Sequence, residues 1–318
     1  MPVKRGHQVT VVLCGRVFLD ESADLWLDPS LQVWSRVGGR GPIERGTRTS
    51  NTFTCHNSGA VEVGNVNPAE WADTDGNIAI DPAMYAFMTG GTTVALIRWA
   101  DGVDPLSALT TLSHRGDFEG LLDAEVQRLE TAPGAPPPGW QPLWYLGPSE
   151  VFARDEGVIS CSTSNDFAII CHDMDSALTP GTTLSWDWNV DVLPSAVAED
   201  TFPTHDYLSI AVEFDDGLDL TYQWSATIEP ETFYRCPLPH WSERETHFVV
   251  RSGTDHLGRW VHEERDVFAD RARAIGGPDP ARIRAIWLIA VSFLQHGEGR
   301  CAYRSVTLSD GDHSLSIT

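Results

Sequence analysis

What this 318-residue chain lacks narrows its function before any motif is read. No apolar run approaches the roughly 20 residues that a membrane-spanning helix needs. There is no GxSxG elbow, HExxH, P-loop or GxGxxG, so the usual signatures of serine hydrolases, zinc peptidases and nucleotide enzymes are missing. The nearest approach, His262-Glu263-Glu264, lacks a second histidine. None of the six cysteines, Cys14, Cys55, Cys161, Cys171, Cys236 and Cys301, sits in a CxxC pair, which argues against a zinc site. Cys161 and Cys171 could face each other across a hairpin turning near Asn165 and Asp166, but both read as reduced core residues. Lysine is nearly absent: Lys4 stands alone among 22 Lys and Arg, a skew that reads as coding bias. Positive charge is scarce altogether. A net charge of −23 makes the electrostatic term repulsive for nucleic acid and for anionic membranes, and serves solubility. Neither a cofactor nor a metal is expected, and the partner left is a small molecule.

What is present reads as an all-β chain. The basic start and short apolar run superficially resemble an export signal, but Gln8 to Phe18 alternates and includes Arg16, and no small-residue cleavage site follows. It reads as the first strand of a cytoplasmic protein. Residues 1–112 hold short candidate strands at Val9–Phe18, Leu31–Val37, Thr52–His56, Ala60–Val63 and Thr92–Trp99, broken by Gly-, Pro- and Asn-rich turns including the loop VGGRGPIERGTRTSN. Such spacing indicates an antiparallel sandwich. In 113–139 the period changes: Phe118, Leu121, Leu122, Val126 and Leu129 mark an amphipathic helix over Asp117–Glu130 with Asp117 as cap, and TAPGAPPPG is a stiff connector. In 140–318 strands resume, with one short helix at Val267–Ile275 ending at Gly276-Gly277. The expected architecture is two antiparallel β-sandwich domains, of jelly-roll and galactose-binding-like type, joined by the helix and the Pro-rich connector.

Two alternating segments organise the second domain. In LSWDWNV, Leu184, Trp186, Trp188 and Val190 share one face, and Asp187 and Asn189 lie on the other. In YLSIAVEF, Leu208, Ile210, Val212 and Phe214 oppose Tyr207, Ser209 and Glu213. The aliphatic and Trp faces read as core. The polar faces read as one surface, carrying Asp187, Asn189, Ser209, Glu213, Gln223 and Arg251, with His205 and Asp206 entering from the loop side. Partial desolvation on such a surface would raise the pKa of Asp187 or Glu213 and fit it for general acid or base work. Trp71, Trp140, Trp144, Trp241 and Trp260 lie in loops or at strand ends, where rings stack on sugars or line pockets. Asp266 reads as the cap of the short helix, with Arg265 pairing nearby.

TTLSWDWNVDVLP, LTYQW, HFVVRSG, GRWVHEERDVFADRARAIG, IRAIWLIAVSF and CAYRSVTL together resemble an uncharacterised bacterial domain-of-unknown-function family over roughly residues 140 to 310. The resemblance carries an L-S-W-x-W strand and an R-D-V segment. It implies basic residues where Asp187 and Asn189 stand, and two acids where His205 and Asp206 stand. LQVWSRVGGRGPI, TFTCHNSGAVEVGN and TTVALIRWADG resemble galactose-binding β-sandwich lectins, whose late calcium loop corresponds here to ADGVDP, with only Asp101 and Asp104.

Two functions fit these readings. One is a cofactor-independent cyclase or pericyclase that folds a hydrophobic, polyketide-like metabolite into a reactive conformation. Asp187, Glu213 and His205 would be its catalytic residues, and Asn189, Tyr207, Ser209, Gln223, Trp260 and Arg251 would bind the ligand. The other is non-catalytic carbohydrate binding, which calls for exposed aromatic platforms.

Overall fold

The computed structural model describes residues 1–318 apart from 40–42, 47, 132–136, 148, 240, 311 and 312. Most of the Pro-Gly connector and part of the Gly-rich loop therefore lie outside the described residues. The chain forms two compact units, Met1–Pro133 with Trp144–Glu150, and Gly134–Leu143 with Val151–Thr318. No helix among the described residues is long and apolar enough to cross a membrane.

The first unit holds two four-stranded sheets. One runs Pro2–Val3, Gly59–Asn65, Val33–Val37, Glu44–Arg45; in the other, Gln8–Asp20 lies between Leu25–Leu27 and Ser50–Thr54 and also pairs with Thr89–Arg98. Every one of these pairings is antiparallel. Val9, Val11 and Leu13 sit on one face of the long strand by the two-residue period and meet Val33, Val37 and Val61 in the core. The Asp117–Glu130 helix starts four residues late, at Leu121, because Gly120 at φ 73 holds the chain in the left-handed region just before it. Asp117 still caps it from outside, accepting from the Leu122 and Asp123 amides at 2.9 and 2.8 Å. A further helix, Pro105–Ser113, stands where alternation gives none. Asp104 is its N-cap, accepting from the Ser107 amide at 3.1 Å, and Pro105 occupies the first position. The loop compared with a lectin calcium loop thus spends Asp104 on a helix end.

The second unit is a two-sheet sandwich. The six-stranded sheet has the order Phe152–Asp155, Val158–Ser164, Glu298–Ser309, Thr183–Val192, Trp260–Asp266, with Ser314–Ser316 added to Glu298–Ser309. The seven-stranded sheet runs Phe233–Arg235, Glu245–Ser252, Asp219–Ser225, Tyr207–Phe214, Arg282–Val291, Phe167–Ala177, Gln141–Pro142. Asp219–Ser225 and Glu245–Ser252 pair in parallel, a departure from the antiparallel expectation that sets Asp219 beside Glu245 and Thr221 beside His247.

The two inward faces are the ones the alternation names. Leu184, Trp186, Trp188 and Val190 are wholly buried, as are Leu208, Ile210 and Val212. Trp186 stacks on Tyr222 at 5.6 Å between ring centroids, and Trp188 lies 5.4 Å from Trp224. Rings of this size bury ~150–250 Å² each, worth ~4–6 kcal/mol apiece against water, so this aromatic layer dominates the packing of the unit. Cys161 pairs in register with Cys301, not with Cys171, and all six cysteines are free thiols.

Candidate functional site

Alternation sends one face of every sandwich strand inward and the other outward, so the polar faces of the two organising strands lie on opposite outer surfaces, one per sheet. The single polar surface expected from sequence is therefore two. Asp187, Asn189 and Trp260 lie on the outer face of the six-stranded sheet. His205, Tyr207, Ser209 and Gln223 lie over or on the outer face of the seven-stranded sheet, with Glu213 at its margin. Arg251 joins neither group: its Nε donates to Glu263 at 2.7 Å, and its guanidinium lies 5.5 Å from the Trp224 ring.

The outer face of the seven-stranded sheet is not wet. Tyr207, Ser209, Asp219, Thr221, Gln223, Ser225, Glu245 and His247 are all buried. Two segments roof them, one around 195–206 and one around 236–245. The first is pinned by Glu199, whose carboxylate accepts from the Ala226 amide at 2.7 Å, from Ser225 Oγ and from Gln223 Nε2 at 3.4 Å. Its carbonyl oxygen faces His205 Nδ1. The second is anchored by Arg244, whose Nε donates to Asp219 at 3.3 Å and Nη2 to Glu213 at 3.4 Å.

Beneath this roof His205, Cys236, Glu245 and His247 converge, with one donor atom from each lying within 4.8 Å of the others. His205 Nε2 is 3.4 Å from Cys236 Sγ, and His247 Nε2 is 3.4 Å from Glu245 Oε1. His247 Nδ1 faces Gln223 Oε1 at 2.8 Å, and Tyr234 donates its hydroxyl to that same oxygen at 2.9 Å. Tyr207 and Thr221 donate to Glu245 Oε1 at 3.0 and 3.1 Å. Burial pushes the His205 imidazole down to about 3, helped by the neighbouring His247, so His205 is neutral. Burial, then Glu245, pushes the Cys236 thiol well up. Burial raises Glu213 above the ordinary carboxylate range against the pull of Arg244, the direction expected for it. Ser209 lies deep, its hydroxyl without a partner among the described residues and its carbonyl accepting from Tyr303 at 3.2 Å.

The outer face of the six-stranded sheet is a small grid set by register. Arg304, Asp187 and His262 stand opposite one another across three strands; the adjacent row is Ala302, Asn189 and Trp260. Asp187 accepts from His262 Nδ1 at 2.8 Å and from Arg304 Nε at 3.2 Å. Partial burial pushes its carboxyl up, but these two partners outweigh it and hold it below the ordinary value, opposite to the raised pKa expected of a general acid. The Arg304 guanidinium lies 4.0 Å from the Trp260 ring centroid. Trp260 is 37% exposed, and Asn189 Oδ1 is buried with no hydrogen-bond partner among the described residues.

A family model described as "Protein of unknown function (DUF3047)" matches residues 139–307. The chain belongs to this family. Both outer faces, from Asp187 to Arg304, lie within the matched DUF3047 segment. No curated protein matches the chain. Among solved structures it is similar to the xyloglucanase domain of NopAA, a type three effector from Sinorhizobium fredii in complex with cellobiose. That likeness has 6% identity and a TM-score of 0.33, over 49% of this chain and 83% of the other. It is also similar to a mutant ENZbleach xylanase, at 10% identity and a TM-score of 0.29, over 51% of this chain and 75% of the other. Superpositions this loose carry no information on what a DUF3047 chain binds.

Of the residues expected on one surface, the structure brings His205, Tyr207, Ser209 and Gln223 together, and it adds Glu199, Cys236, Glu245 and His247, which sequence reasoning missed. A signal for two of them exists: in Glu245-Thr246-His247 the acid and the imidazole are two apart, hence on one strand face. Nothing local marks Cys236 or Glu199, which arrive from roof segments. Arg265 and Asp266 of the R-D-V segment do what their local chemistry dictates: Asp266 caps Val267–Ala274 by accepting from the Ala269 amide at 2.9 Å, and Arg265 forks onto Asp270 at 2.7 and 2.9 Å.

Proposed function

We propose that the C-terminal unit binds a neutral carbohydrate on the outer face of its six-stranded sheet. The observation that carries this is Trp260: an indole more than one-third exposed, standing beside the charge-balanced Arg304–Asp187–His262 row. Sugars are recognised by an aromatic face for their C–H surface and by fixed donors and acceptors for their hydroxyls. Here Asp187, Arg304 and His262, in the row next to the ring, supply both kinds of polar group. Because Asp187 is compensated by two partners, the grid offers hydrogen bonds without a large net charge, which suits a neutral ligand.

The cyclase reading is less well supported. It calls for an enclosed apolar chamber, and the space between the sheets is filled by Trp186, Trp188, Tyr222, Trp224 and Tyr303, all fully buried. Exposed platforms belong to the binding reading.

A panel of neutral oligosaccharides, titrated by calorimetry against the full chain, tests this. Binding in the micromolar to millimolar range is expected, weakened about tenfold or more (~1.4 kcal/mol) by Trp260→Ala. Trp144→Ala, which removes an exposed tryptophan from the first unit, should leave it unchanged. No hit on the panel, or equal affinity in Trp260→Ala, overturns the proposal.

A further inference from the structure

We infer that His205, Cys236, Glu245 and His247 form a four-ligand site for a borderline-soft divalent cation of the zinc class, buried beneath the roof of the seven-stranded sheet. This does not rest on the carbohydrate reading: it concerns the opposite outer face.

The donor set comes from three separate places in the chain. His205 follows the Phe202–Thr204 turn, Cys236 follows the Phe233–Arg235 strand, and Glu245 and His247 share one face of Glu245–Ser252. All four are buried. In a tetrahedral zinc site, bonds of ~2.0–2.3 Å place neighbouring ligand atoms about 3.3–3.7 Å apart. His205 Nε2 to Cys236 Sγ and His247 Nε2 to Glu245 Oε1 are both 3.4 Å, and one donor atom from each of the four residues lies within 4.8 Å of the others. The site is thus within a small contraction of coordination geometry.

The hydrogen bonds behind the imidazoles decide where their protons are. A backbone carbonyl can only accept, so the Glu199 oxygen fixes the proton of His205 on Nδ1 and leaves Nε2 a bare lone pair. Gln223 Oε1 does the same for His247; its amide orientation is set by Nε2 donating to Glu199 and by Tyr234 donating to the oxygen. Both Nε2 atoms face inward. This backing of each histidine by an oxygen acceptor is what a metal-ligating imidazole requires, and the two hydroxyls on Glu245 orient the carboxylate in the same way.

With both imidazoles neutral and no cation, these protons do not account for the arrangement. A Cys236 S–H can serve His205 Nε2, but His247 Nε2 is buried with no hydrogen-bond partner among the described residues, and the Glu245 carboxylate lies 3.4 Å from it. Two lone pairs then oppose each other in a dry interior, which is costly. A cation bound there would take up those lone pairs, displace the Cys236 proton to solvent and leave the thiolate as ligand. Two imidazoles, a thiolate and a carboxylate suit zinc by softness and count. With all four positions filled by protein, the ion would be structural, tying both roof segments to the sheet. The competing arrangement is a protonated His247 paired with Glu245, which needs no metal.

The test is metal stripping of the full-length chain, followed by titration with Co²⁺ as the spectroscopic stand-in and with Zn²⁺ in competition. Expected are one equivalent taken up, a thiolate-to-cobalt charge-transfer band in the near ultraviolet, intense visible bands of tetrahedral cobalt, and their loss when zinc is added. Cys236→Ser should abolish the charge-transfer band, and His247→Ala should lower cobalt affinity at least a hundredfold. Far-ultraviolet circular dichroism confirms that each variant is folded. Trp260→Ala, on the other face, should titrate as the wild type does. A folded wild-type chain that takes up no cobalt overturns the inference in favour of the ion pair, and so does a charge-transfer band that persists in Cys236→Ser.

Discussion

Removing the Glu199 carboxylate should release the first roof segment, at a cost that the geometry sets. Glu199 is 1% exposed and accepts three hydrogen bonds from groups that are themselves buried or nearly so. Ser225 Oγ already accepts from the Thr227 and Ile228 amides at 3.2 and 2.9 Å, so its single proton has no other outlet. The Ala226 amide, at 2.7 Å, likewise faces only this carboxylate. An orphaned buried donor costs ~1–3 kcal/mol, so two strong bonds lost, plus the weaker one from Gln223, predict about 3–5 kcal/mol for Glu199→Ala. Glu199→Gln keeps one acceptor oxygen for the Ala226 amide and should cost about half as much. Urea unfolding at constant slope measures both, and hydrogen exchange locates the effect: amides of 199–206 and 226–228 should lose protection first. A Glu199→Ala chain within about 1 kcal/mol of wild type, or faster exchange confined to other segments, would refute the reasoning.

Three further outcomes are expected. Asp187 has a folded-state pKa depressed below its unfolded value by His262 and Arg304, so its stabilisation is present above the unfolded value and is lost as pH falls through the folded one. Asp187→Asn should therefore destabilise the chain near neutrality, with the gap to wild type closing below about pH 4 in urea titrations. Trp188→Ala opens a void between Trp224, Trp186 and Tyr303 and should cost about 3–5 kcal/mol by the same unfolding assay, with Trp188→Phe intermediate. Among the six thiols, Cys14 should react first with a thiol reagent in the native chain, since it alone is not buried, while the other five react only on unfolding.

The fold was legible because period-2 alternation is a local signal. Leu184, Trp186, Trp188 and Val190 reach the core for the reason their spacing gives, and the Asp266 cap and the glycines after Val267–Ala274 end that helix as their chemistry requires. The pairing of polar faces was not legible. Asp187 and Ser209 both point away from a core, but nothing in either strand says that the two strands belong to different sheets, and that membership sends them to opposite surfaces. Burial of the second face was hidden for a related reason: Tyr207, Ser209 and Gln223 read as a wet surface because Glu199, Cys236 and Arg244, which roof them, are distant in sequence.

This division also explains how one sandwich can carry two separate chemistries. Each organising strand gives its inward face to the same aromatic core and its outward face to a different surface. Asp187 and Asn189 can change without touching Trp186 or Trp188, and His205 can change without touching Leu208 or Ile210. The aromatic core is built from the inward faces, and the polar chemistry of the outer faces can vary without altering it. The buried face is the exception. Its polar residues have no water to fall back on, so their hydrogen bonds must close among themselves or around a cation. At His247 Nε2, 3.4 Å from Glu245 Oε1, that closure is either an ion pair or a bound cation.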